Sequence, residues 1–62
     1  MPFEIITHHC KEPARLIPAT YHSEKFAIEQ ARQFAREYGT IKAEVWIVGQ
    51  AKPFYTIEKL ED

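Results

Sequence analysis

Apolar residues at Ala27, Ile28, Ala31, Phe34, Ala35 and Tyr38 recur every three or four positions, which places them on one face of a helix. The pattern predicts a helix from Ser23 to Tyr38. Ser23 supplies the N-cap, because its hydroxyl accepts from a backbone N–H otherwise left unpaired in the first turn. Gly39 stands where a left-handed C-terminal cap is expected. On either side of this helix the pattern changes. Phe3-Glu4-Ile5-Ile6-Thr7-His8-His9 follows Pro2, is rich in β-branched and aromatic types, and predicts a first strand. Cys10 to Pro13 reads as a turn, and Arg15 to Tyr21 as a second extended segment. Pro18 inside that segment cannot donate to a ladder, so the segment is an edge strand or an irregular arm. Lys42 to Val48 predicts a strand, Gly49 to Pro53 a loop, and Phe54 to Leu60 a returning strand, with Glu61 and Asp62 trailing.

The expected architecture is a two-layer α+β domain, β-β-α-β-β, with one helix on a mostly antiparallel sheet of three or four strands. Residues 13–22 decide between three and four. Pairing within the last hairpin decides which side chains face the helix. With Val48 opposite Phe54, Ile47 meets Tyr55 and Val45 meets Ile57, and these four pack under the helix. A slip of one residue would pair Glu44 with Lys59 but set Val45 against Glu58. Burying that carboxylate costs more than a surface ion pair returns, about 0–1 kcal/mol.

One helix covers one sheet face. The uncovered face is expected to carry Trp46, Val48, Phe54 and Thr56, joined by Ile6 or Ile5 from the first strand. A contiguous apolar patch of this kind marks an interface, and tryptophan is prominent among residues that dominate binding energy.

Length sharpens this expectation. The 62 residues make a single domain, residues 1–62, which buries only about 60% of the surface its unfolded chain exposes. Small chains compensate with disulfides, a metal or self-association. Cys10 is the one cysteine, so no intrachain disulfide forms. The formal net charge of −1, from eight Lys+Arg and nine Asp+Glu, gives no global field toward nucleic acid or an anionic membrane. Met1-Pro2-Phe3-Glu4 lacks the basic start and apolar run of a signal peptide, and Val45 to Val48 is too short to span a bilayer. A single thiol without a secretory signal fits a reducing compartment. The expectation is a cytoplasmic protein, most simply bacterial or viral.

Candidate chemistry is sparse. His8-His9-Cys10 brings together soft-metal ligands and a thiol. Alternation along a strand lets His8 and Cys10 share an ion but turns His9 away, and His22 falls at the far end of the hairpin. A Cys10 nucleophile would need a base and an oxyanion pocket, and no phosphate loop or hydrolase motif occurs. No metal, cofactor or catalytic residue is expected. Sheet aromatics can stack single-stranded nucleic acid, with Trp46 and Phe54 as platforms, but Glu44 and Glu58 on the same face would repel phosphate. The expected function is therefore a non-catalytic partner-binding or regulatory accessory protein, self-associating through the open sheet face. The alternatives are a single-stranded nucleic-acid-binding module and a metal-binding or redox protein built on the His-His-Cys cluster.

Overall fold

The computed structural model describes residues 2–58. It contains β1 (Phe3–His9), β2 (Glu12–Leu16), α1 (Glu24–Arg36), β3 (Thr40–Ile47) and β4 (Tyr55–Glu58). All pairings are antiparallel and the strand order is β2-β1-β3-β4, with α1 packed on one face. This is the two-layer α+β architecture expected, in its four-stranded form.

The helix begins as its sequence requires. The Ser23 hydroxyl accepts from the Phe26 N–H at 3.3 Å, Glu24 opposes the positive end of the helix dipole and Arg36 the negative end. It ends two residues earlier than expected. Glu37 is extended, its N–H bonded to the Phe34 carbonyl, so Tyr38 leaves the apolar stripe and is wholly exposed. Gly39 has the positive φ anticipated, +88°, but as the third residue of a turn closed by Thr40 N–H donating to the Glu37 carbonyl. Gly49, φ +93°, holds the same position in the turn closed by Gln50 N–H on the Ile47 carbonyl. Both are type II turns, whose third residue needs positive φ. A Cβ on Gly39 would meet open space, so Gly39→Ala is expected to lose only the backbone term. A thermal melt should show a loss of about 1–2 kcal/mol, and an unchanged melt would mean that the turn relaxes to another type.

Three alanines, Ala27, Ala31 and Ala35, form the buried ridge of α1, one per turn of four residues. They meet Phe3, Ile5, Ala43 and Val45 from the sheet, while Ile28, Phe34, Ile17, Tyr21, Ile47 and Ile57 close the margins of the core. Methyl-sized contacts let the helix axis lie close to the central strands β1 and β3, on which it chiefly packs.

Two boundaries differ from the sequence reading for identifiable reasons. The β1–β2 turn is tight, with Lys11 at φ +65°, and the second strand starts at Glu12 rather than Arg15. It includes Pro13, whose missing N–H is harmless on an edge strand. Regular pairing stops before Pro18, but Ile17 N–H still reaches the Ile5 carbonyl, and Phe3 and Tyr21 exchange two backbone bonds of 2.6 and 2.9 Å. The whole stretch from Glu12 to Tyr21 thus lines β1, interrupted at the proline.

The β3–β4 register is shifted by two residues from the one expected. Val45 faces Tyr55 and Ala43 faces Ile57. A shift of two preserves which side chains face the helix, and it sets Lys42 opposite Glu58, giving opposite charges a cross-strand place without burying a carboxylate. The expected strand residues Lys59 and Leu60, and Glu61 and Asp62 after them, lie outside the described residues.

Candidate partner-binding face

The face of the sheet away from α1 is built by register. One row runs Leu16, Ile6, Glu44, Thr56 across the four strands; beside it lie Glu4 with Trp46 on one flank and His8, Lys42, Glu58 on the other. Among the described residues no second layer covers it. Of the two isoleucines left open by the sequence, Ile6 takes the open face and Ile5 is fully buried under the helix.

The apolar part of this face is a diagonal from Leu16 through Ile6 to Trp46. Leu16 is 57% exposed, whereas Ile6 and Trp46 are half-buried by their neighbours. The Trp46 indole Nε1 is itself shielded from solvent and has no hydrogen-bond acceptor among the described residues. A buried donor without a partner carries a desolvation penalty of about 1–3 kcal/mol. Thr56 is exposed beside Glu44.

Two expected members of the cluster lie elsewhere. Val48 is past the end of β3, in the turn, exposed, with its N–H on the Pro2 carbonyl. Phe54 precedes β4. Its N–H bonds to the Val45 carbonyl, the residue that Tyr55 faces, so the regular alternation breaks there. Its ring packs instead on Phe3, centroids 5.6 Å apart, at the core's margin. Leu16 was missed because its strand was expected to begin at Arg15 and had no assigned register.

Charge around the diagonal is specific. The His8 imidazole Nε2 donates to the Glu44 carboxylate at 2.5 Å, linking β1 to β3 on this face. Lys42 stands between His8 and Glu58 in register. Glu4, directly opposite Trp46, makes no ion pair among the described residues. Phosphate approaching Trp46 would therefore meet Glu4 and Glu44, and the second stacking platform, Phe54, is engaged with Phe3.

The His-His-Cys cluster is split by strand alternation. His8 is bound to Glu44, while His9 turns toward the helix side, its Nε2 2.8 Å from the Thr7 hydroxyl oxygen. Cys10 is exposed in the turn. No three His, Cys, Asp or Glu side chains come together among the described residues in a way that holds a metal ion. An open groove at this end is lined by His9, Cys10, Lys11, Glu12, Arg15 and Tyr38, but Arg15 is occupied by Glu12 at 2.9 Å and His9 by the Thr7 hydroxyl. No helix among the described residues is long and apolar enough to cross a membrane. No family model, curated protein or solved structure matches the chain.

Proposed function

We propose that this protein is a non-catalytic, partner-binding accessory protein whose working surface is the open sheet face around Trp46. The observation that carries the reading is the apolar diagonal of Leu16, Ile6 and the half-buried Trp46 on a sheet face that α1 leaves uncovered. The Leu16–Ile6–Trp46 diagonal offers apolar area on an uncovered face, and tryptophan is among the residues around which binding energy concentrates. Glu4 gives the surface an unpaired negative charge next to the tryptophan. Complementarity therefore favours a protein partner that brings cationic and apolar groups together. Self-association through this same face needs an offset between the two copies that keeps Glu4 of one away from Glu4 of the other.

The test compares full-length wild type, Trp46→Ala and Glu4→Lys as immobilised baits, each first checked for native circular dichroism. The wild type is expected to retain a protein that Trp46→Ala binds about tenfold or more weakly, and that Glu4→Lys also weakens. Glu4→Lys keeps the tryptophan, so the charge argument stands even if Trp46→Ala fails to fold. Equal retention by all three would remove the reading. If the wild type instead binds a single-stranded oligonucleotide with affinity falling steeply as salt rises, the surface reads phosphate rather than protein.

A further inference from the structure

We propose that β4 is an assembly edge. Two copies of this chain pair antiparallel through residues 55–57 of this strand, giving one continuous sheet with four strands from each copy. This stands apart from the open-face reading, because it uses the backbone edge rather than the face.

An open sheet has two edges, and unpaired N–H and C=O groups along an edge are a template for another strand. The edges of this sheet differ. β2 is blunted by its composition and its irregular pairing. Pro13 lies within it and Pro18 follows. Its register with β1 is interrupted between Thr7 and His9, and the Glu12–Arg15 ion pair lies across it. β4 contains no proline, its register with β3 runs without a break from Lys42 opposite Glu58 to Val45 opposite Tyr55, and Tyr55, Thr56 and Ile57 carry no charge.

The helix covers this edge only in part. Tyr55 and Ile57 face the helix side, opposite Val45 and Ala43. Because α1 sits over β1 and β3, Tyr55 is nevertheless 40% exposed and Ile57 only half-buried.

The strand is self-complementary. A two-fold axis at Thr56 sets Tyr55 of each copy opposite Ile57 of the other, twice on the helix side, and Thr56 opposite Thr56 on the open side. Aromatic with β-branched pairs and threonine pairs are favourable across strands. In this register the two Glu58 carboxylates do not oppose one another. Both helices then lie on one side of the joined sheet and both Trp46 faces on the other.

Light scattering on the untagged full chain over a range of concentrations tests this. The wild type is expected to form a reversible dimer. Thr56→Lys places two ammonium groups opposite each other at the axis and should raise the dissociation constant about tenfold or more. In the monomer this lysine is tolerated, since position 56 is exposed and faces Glu44. Leu16→Ala, on the open face, should leave the dimer intact. Those amides of residues 55–57 that point away from β3 should gain exchange protection with concentration. A wild type that stays monomeric, or a dimer indifferent to Thr56→Lys, overturns the proposal. Loss of the dimer in Leu16→Ala, with or without loss in Thr56→Lys, assigns the contact to the open face instead. Partner retention lost in Trp46→Ala while dimer mass persists separates the two surfaces.

Discussion

Ile5→Ala is expected to bring this domain close to unfolding. Ile5 is fully buried in the central strand, opposite Val45 and beneath the alanine ridge of α1. Truncating such a side chain loses its transfer free energy and leaves a cavity, together about 2–5 kcal/mol. A chain of this length has about 3–9 kcal/mol in total. The core is built from few large residues, since four of its seven fully packed apolar members are alanines, so little neighbouring bulk is available to collapse into the gap. A thermal melt followed by circular dichroism should fall by at least about 10 °C. A drop of only a degree or two would show that Ile5 is not a principal core residue.

The second large effect is the reverse change. Ala31 is fully buried at the middle of the ridge. Ala31→Leu replaces a methyl by an isobutyl group where the helix approaches the sheet. The strain of accommodating it is about 1–3 kcal/mol, with α1 displaced outward from β1 and β3. Leucine and alanine differ little in helix propensity, so the loss reports packing. Arg32→Leu, one residue on and exposed, is the matched control and should stay within about 0.5 kcal/mol of wild type. Equal behaviour of the two variants would mean that the helix does not sit on its alanines.

These two residues also show what was legible beforehand. The ridge at Ala27, Ala31 and Ala35 follows directly from helical spacing. Tyr38 fits the same spacing and is nevertheless outside, because periodicity does not mark where the backbone turns away at Glu37. In the last hairpin the faces were legible and the register was not. Burial dictates parity, so Val45 and Ile57 had to share a side, but a pairing offset by two satisfies parity equally. Lys42 opposite Glu58 then favours the observed offset. Pro13 read as the end of a turn, yet it lies within the outer strand, where a missing N–H has no partner to lose. For the candidate face, Trp46 and Thr56 share the uncovered side as expected, and Ile6 fills the place that alternation alone left open between Ile6 and Ile5. Phe54 was not, since the irregular step before β4 that sends its ring to Phe3 has no signature in residue types.

The pairing of β1 with β3 carries a kinetic consequence. The sheet's two middle strands are separated in sequence by the edge strand β2 and the entire helix, about 40 residues between Ile5 and Val45. During synthesis β1 emerges first and can form only its local hairpin with β2. At about 5–20 residues per second, Phe3 and Ile5 wait for seconds with one flank open before their partner strand exists. In that interval α1 has only half a sheet to dock on. The helix and the β3 strand therefore have to arrive nearly together, and the final closure of this small domain is a late, single event rather than a gradual zippering from one end.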